Sequence, residues 1–380
     1  MIRSPHYTEG HETFRTSVRR FVETELAPNW PQYQKLGQVP REVWRRAGEH
    51  GFLCTKQAPE FGGGGGDLYH CLVIMEEQTR ASVNELTFYL HSDIIAPYIE
   101  LYGTQDQKER YLPGMARGDF VAAIAMTEPG GGSDLQAIRT TAVAEGDAYR
   151  LNGQKVFISN GQVANLICVA AKTDPAQGAK GISLLLLETE GAEGFTRGAN
   201  LQKVGCKAQD SVELFFEDVR IPRENLIGGV EGKGFQQLMQ RLPEERLIMS
   251  MSAVANMEAA IEETVAYTRE RKVFGQRLID LQNTRFKLAE CKSKAVLART
   301  FLEHCIDSFI EGSFDTVQGA VAKWWTSQRV YEILDECLQL HGGYGYMKEY
   351  PIARRYADQR LARIAGGTNE IMKELIGRTL

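Results

Sequence analysis

Two adjacent carboxylates, Glu244 and Glu245, stand in LPEERL where a helical pattern opens. The positive end of a helix favours carboxylates, so the pair suits plain helix stabilisation. Buried against a substrate, one of them can instead serve as a general base. AMTEPGGGSD, residues 125–134, places three glycines between the hydroxyls of Thr127 and Ser133. Such a run turns several backbone N–H groups toward one concavity, suited to a phosphate or a polar cofactor edge. A flexible surface loop explains the same composition, and the run fits neither a Walker A loop nor GxGxxG between a strand and a helix. KVFISNG, residues 155–161, sets Phe157 and Ser159 two residues apart, hence on one face of a strand. A planar ring system can lie over that face with the hydroxyl reaching a heteroatom, and ordinary strand packing is the plainer account. RKVFGQ (271–276) and QLHGGYGY (339–346) fall where long helical patterns end. Glycines there suit helix C-caps, and Arg271 also suits a phosphate. Gly366-Gly367-Thr368 precedes a last amphipathic run. Glycine pairs cost backbone entropy, so this one asks for a reason.

The elements that must position these groups fall into three zones. From His11 to about Asp119 apolar residues recur at helical spacing, as in Phe14, Val18, Phe21 and Val22. The glycine run Pro59–Asp67 interrupts this zone. In the second zone the period changes. Asn152-Gly153 lies between two β-prone runs and predicts a hairpin. ANLICVAAKT and GISLLLLE read as buried strands, and VELFFEDVRIP alternates until Pro222. In the third zone Pro243 is expected at a helix start, followed by helices over about 283–311 and 315–341 and a last one from Thr368. Four helices with short connections suggest a bundle. The chain is thus α+β in the order helical, β, helical, with expected boundaries of 1–119, 120–228 and 229–380.

The chain has 380 residues, 43% hydrophobic and 24% charged, which is ordinary for a globular protein with a large core. A net charge of −5 gives no support for a nucleic-acid partner. Seven dispersed cysteines without a CxxC pair read as reduced thiols in a cytosol-like compartment. The N-terminus shows neither a signal nor a transit pattern, and no run approaches the ~20 apolar residues of a membrane span. The expected location is a bacterial cytoplasm, or a mitochondrial matrix for a processed chain. The seven histidines form no HExxH, HxH or clustered ligand pattern along the sequence, so no metal is expected. A GxSxG elbow is missing.

Taken in order, MTEPGGGSD, KVFISNG, RKVFGQ, QLHGGYGY and GGTNE resemble the acyl-CoA dehydrogenase family over essentially the whole chain. The resemblance implies a β-barrel-like middle domain, a C-terminal four-helix bundle and FAD between them, in a homotetramer. It implies that Met126, Thr127 and Ser133 contact the flavin, with Ser133 also near acyl-CoA. Phe157 takes the position usually held by Trp against the ring, and Ser159 that of a Thr facing N5. Arg271, Phe274, Gln282, Gln339 and Gly343 are implied to hold the diphosphate and adenosine, some from a neighbouring subunit. Thr368 and Glu370 match C-terminal FAD contacts, so the glycine pair belongs to a cofactor cradle.

One position departs from the family pattern. Many relatives carry their catalytic Glu immediately before the Gly-Thr pair, where this chain has Gly366. A subgroup including the long-chain and isovaleryl-type enzymes keeps it on the helix near Pro243, directly before an Arg, and Glu245-Arg246 matches that pattern. Glu245 is therefore expected as the base, Arg246 as support for CoA or site geometry, and the Gly366 N–H as a donor to the thioester carbonyl. Pro243 replaces an Asp that contacts CoA in several relatives, which leaves that contact without its usual residue. The implied reaction removes the α proton while hydride leaves Cβ for the flavin, giving a trans-2-enoyl-CoA, with an electron-transfer flavoprotein as acceptor. Desolvation on substrate binding is expected to raise the Glu245 pKa toward the working pH. The glycines are expected to leave room near Glu245, and Glu at 366 is expected to recover some activity when Glu245 is removed. The implied substrate is a medium-to-long acyl chain of fatty-acid β-oxidation. The alternatives are an isovaleryl-type enzyme of amino-acid breakdown, an oxidase on the same fold and a catalytically silent acyl-CoA-binding flavoprotein.

Overall fold

The computed structural model of the chain describes residues 4–380. The first zone carries helices α1 (Glu9–Phe21), α2 (Trp30–Leu36), α3 (Arg41–Glu49), α4 (Leu68–Arg80), α5 (Ala96–Tyr102) and α6 (Gln105–Arg117). Capping boxes start α1, α4 and α6, where Thr8, Asp67 and Thr104 accept from backbone N–H groups that the first turn leaves unpaired. A π-helical turn, Leu90–Ile95, runs directly into α5. This zone has its own core, with Trp30, Trp44 and Phe52 among its buried aromatics.

Strands β1 (Ala122–Ala125), β2 (Thr141–Glu145), β3 (Ala148–Ser159), β4 (Leu166–Lys172), β5 (Ile182–Glu188), β6 (Phe195–Arg197) and β7 (Ser211–Pro222) follow. They form one curled sheet in the order β1-β4-β2-β3-β7-β6, with β5 also paired to β4. Both faces of β4 and β5 are buried, which explains their unbroken apolar runs. Ile167, Val169, Leu185 and Leu187 fill the curl of the sheet. Leu166, Cys168, Leu184 and Leu186 face the core shared with the helices.

The third zone is built on α7 (Gly234–Glu270), α8 (Gln282–Ile310) and α9 (Thr316–His341), packed on one another, with short helices α10 (Pro351–Gln359) and α11 (Asn369–Gly377) against them. A small hairpin, β8 (Lys272–Val273) and β9 (Gln276–Arg277), follows α7. No helix among the described residues is long and apolar enough to cross a membrane. All seven cysteines are free thiols.

Three expectations change. Asn152-Gly153 is not a hairpin turn, because β3 runs straight through it and the β2–β3 turn is at Gly146-Asp147. Gly153 marks a register shift against β7, and a Cβ there would lie 2.5 Å from Thr140 Oγ1. Asn152 instead exchanges two hydrogen bonds with Asp218, at 2.8 and 2.9 Å. Pro243 does not open its helix but lies inside α7, which begins at Gly234. The last helix of the expected four is short: α11 has 9 residues against 37, 29 and 26 in α7, α8 and α9. Folding also makes a histidine cluster that the sequence order conceals. His11 Nε2 and His70 Nδ1 lie 3.0 and 2.9 Å from Asp67 Oδ1. Both rings close capping boxes, of α1 and α4.

Candidate active site

Glu245 is buried on α7, 5% exposed, and accepts a hydrogen bond at 2.7 Å from the Tyr98 hydroxyl on α5. Burial raises its pKa to about 7, against the pull of Tyr98, Arg241 and Arg246, while Glu244 adds to the rise. The carboxyl therefore exchanges its proton near neutral pH, the useful range for a general base. This rise is present without any substrate. Glu244 has a different environment, ion-paired to both Lys56 and Arg241. Cations neutralise one carboxylate of the pair, and a neutral phenol holds the other.

Met249 lies one turn beyond Glu245 on the same face of α7. Gly366, at φ +64, packs against it, and a Cβ on Gly366 would overlap Met249 Sδ. A Cβ on Gly367 would come within 4.0 Å of Arg246 Nη2. The Gly366-Gly367 segment thus crosses α7 at Arg246 and Met249, on the turn that carries Glu245. Lys323 on α9 fixes it there, donating to the Gly367 carbonyl at 2.6 Å and to Asn369 Oδ1 at 3.1 Å. Burial, helped by Arg246, lowers the Lys323 pKa to about 8. The Gly366 N–H donates no hydrogen bond among the described residues, so it is free for a substrate carbonyl. Arg246 is buried, and its Nε atom also lacks a partner. Thr368 caps α11, accepting from Ile371 N–H, and Glu370 stands exposed in the first turn.

These contacts bear on one expectation. The end of Met249 holds the space that a side chain on Gly366 would take. The chain carrying both Glu245→Gln and Gly366→Glu is therefore expected to show no more turnover than Glu245→Gln alone. A side chain at 366 meets Met249 and forces a non-glycine residue to positive φ. Steady-state assays of the single and double variants check this.

The glycine loop is anchored by a buried ion pair. Lys155 Nζ lies 2.8 Å from Glu128 Oε1 and also donates to the Met126 carbonyl at 2.9 Å. Glu128 further accepts from the Arg139 and Thr140 N–H groups, at 2.6 and 3.0 Å. Ser133 is exposed and Thr127 half-buried at the rim of this loop. Phe157 is 68% exposed at φ +61, and Ser159 is half-buried two residues on. An aromatic ring held out in a strained backbone fits a planar group stacked upon it. Asn369 Nδ2, beside Thr368, is buried without a partner, a second feature that fits a polar cofactor.

The remaining expected contacts sit apart. The Arg271 guanidinium lies 5.5 Å over the Tyr344 ring, so RKVFGQ and QLHGGYGY meet. Phe274 is 96% exposed at φ +49, Gln282 opens α8, and Gln339 and Gly343 are exposed at the end of α9. Among the described residues no hydrogen bond, ion pair or ring contact joins this group to Met126, Thr127, Ser133, Phe157 or Ser159.

A buried carboxyl that titrates near neutrality lies on the helix face that meets Gly366, whose N–H is free, and Phe157 on β3 offers an exposed ring. The chain matches the acyl-CoA dehydrogenase N-terminal domain over residues 8–119, the middle domain over 123–219 and the C-terminal domain over 232–380. It is 46% identical over 376 residues to a mitochondrial long-chain specific acyl-CoA dehydrogenase of Mus musculus, covering 98% of this chain and 87% of that one. It is 35% identical over 370 residues to a short-chain specific acyl-CoA dehydrogenase of Clostridium acetobutylicum, covering 97% of each. The crystal structure of an acyl-CoA dehydrogenase from Geobacillus kaustophilus superimposes with a TM-score of 0.96 at 44% identity, covering 99% of both chains. The chain belongs to the acyl-CoA dehydrogenase family. It is an oxidoreductase acting on the CH–CH bond of acyl-CoA, with FAD as cofactor.

Sequence reasoning missed Tyr98, Met249, Lys323 and the Lys155–Glu128 pair. Lys155 alone carried a signal, as a lysine within the β-prone run KVFIS, where a buried cation demands a partner.

Proposed function

We propose that the protein dehydrogenates medium-to-long acyl-CoA thioesters to trans-2-enoyl-CoA, with Glu245 as the base. The observation that carries this reading is the buried Glu245 carboxyl, titrating near neutrality on the helix face that meets Gly366. Glu245 takes the α proton, and the free Gly366 N–H donates to the thioester carbonyl oxygen as charge develops there. Bound FAD supplies the acceptor for the β hydride. Thr127, Ser159, Thr368 and Glu370, with Met126, Ser133 and Phe157, hold the flavin end. Arg246 serves the CoA side. Arg271, Phe274, Gln282, Gln339 and Gly343 hold the diphosphate and adenosine of the cofactor, some of them from a neighbouring subunit of a homotetramer. An electron-transfer flavoprotein is the proposed acceptor. The higher identity to the long-chain relative than to the short-chain one supports the longer substrates.

Steady-state kcat/KM over straight-chain acyl-CoAs of increasing length, with isovaleryl-CoA beside them, tests the substrate class. A maximum at medium-to-long chains is expected, and a maximum at isovaleryl-CoA contradicts it. The base must be unprotonated to act, so the rate is expected to rise with pH through about 7 and then level. A pH profile of kcat/KM checks this limb.

A further inference from the structure

We propose that Tyr98 is a positioning residue for the base, its hydroxyl holding Glu245 charged and aimed from across the domain boundary. This rests on Glu245 as the base. The Tyr98 hydroxyl donates to Glu245 Oε1 at 2.7 Å, and no other hydrogen bond reaches that carboxyl among the described residues. One carboxylate oxygen is thus tied, and Oε2 is left for the proton. Tyr98 is 0% exposed and Glu245 5%, so the bond lies in a low-dielectric setting where it is strong.

The scaffold behind the phenol is rigid. Tyr98 follows the π-helical turn 90–95, and such turns shift side chains relative to a regular helix and recur at functional sites. His91 in that turn accepts from the Ala122 N–H at 3.2 Å on Nδ1 and donates from Nε2 to the Met115 carbonyl at 3.0 Å. Burial lowers the His91 pKa to about 4, so the ring stays neutral and this pairing holds. Ser92 adds a hydrogen bond from the Cys54 N–H to its hydroxyl at 2.9 Å and one from Gln57 Nε2 to its carbonyl at 2.8 Å. The turn is therefore tied to α6, to β1 and to the loop after α3. From that same loop Lys56 pairs with Glu244. The first helical zone grips both carboxylates of α7, one by an ammonium and one by a phenol.

The groups that bear on the Glu245 charge are few. Tyr98 comes from α5, Cys168 from β4, and Arg241, Glu244 and Arg246 from α7 itself. Lys56 acts behind Glu244, and Lys323 stands near Arg246. Arg241 is already committed to Glu244. Among the described residues Tyr98 is thus the one group hydrogen-bonded to Glu245, and its donation favours the carboxylate over the acid.

The test compares flavin-loaded wild type, Tyr98→Phe and Glu245→Gln in pH profiles of kcat/KM with one acyl-CoA substrate. Phenylalanine keeps the packing and removes only the donor. A hydrogen bond to a charged group of usual strength predicts that the rising limb moves up by about one to two pH units, hence about tenfold or more lower kcat/KM below the limb. A second arm places 3-fluorotyrosine at position 98. Its more acidic phenol is a stronger donor, so the limb is expected to move down. An unmoved limb in both arms overturns the role of Tyr98 while Glu245→Gln stays inactive. Retained turnover in Glu245→Gln overturns instead the assignment of the base.

Discussion

Glu245→Gln is expected to bind FAD and acyl-CoA as the wild type does and to lose about 10²–10⁴-fold in turnover, the usual worth of a general base. Glutamine has nearly the same shape and still accepts the Tyr98 hydroxyl through its carbonyl oxygen, so the site keeps its geometry. The lost function is proton acceptance. Glu244, the adjacent carboxylate, cannot take over, because Lys56 and Arg241 already occupy both of its oxygens. The measurement is steady-state reduction of an artificial electron acceptor, with flavin content read from the absorbance of the same samples.

Arg299→Leu is expected to have the largest effect on stability. Arg299 on α8 is 2% exposed and bonds Glu258 on α7 at 2.8 and 3.0 Å and Glu76 on α4 at 2.8 Å. Glu76 and Glu258 are themselves buried, and Arg15 on α1 reaches Glu76 at 2.8 Å. Four helices meet at this charge cluster, and two of them belong to the first zone. Removing the shared cation leaves buried carboxylates under-compensated, at a cost of about 3–5 kcal/mol. A lower denaturant midpoint is the expected readout. Changing Glu76 and Glu258 to Gln together with Arg299→Met is expected to recover much of the loss, because no uncompensated charge then remains.

Reading the sequence reached the helical–β–helical order because periodicity and local signals set it. The ends of α8 and α9 fall within one residue of the expected 283–311 and 315–341. Asn152-Gly153 misled because the dipeptide reports a local preference. The Asp218 pairing and the approach of Thr140 make it a bulge in one long strand. Pro243 misled for a related reason: a proline is commonest at a helix start, yet tertiary packing carries α7 through it for 37 residues. At the site, the contiguous motifs made Glu245 and the residues around Gly366 legible as candidates, and the fold buries Glu245 on the helix face that meets Gly366. Tyr98 and Met249 were not. Tyr98 stands 147 residues from its partner, and nothing local marks either end of that bond. Met249 is one apolar residue among many on a helix, and only the fold sets it where a side chain at 366 would go.

Proton removal by Glu245 is the central step, and it can be watched alone. A 3-thia-acyl-CoA carries sulfur in place of the β carbon, so it can surrender an α proton but no β hydride. Incubated with the flavin-loaded protein in D2O, its α position is expected to gain deuterium, read by mass spectrometry. Wild type is predicted to exchange rapidly and Glu245→Gln to exchange at no more than the rate without protein. Exchange by Glu245→Gln at the wild-type rate would contradict Glu245 as the base.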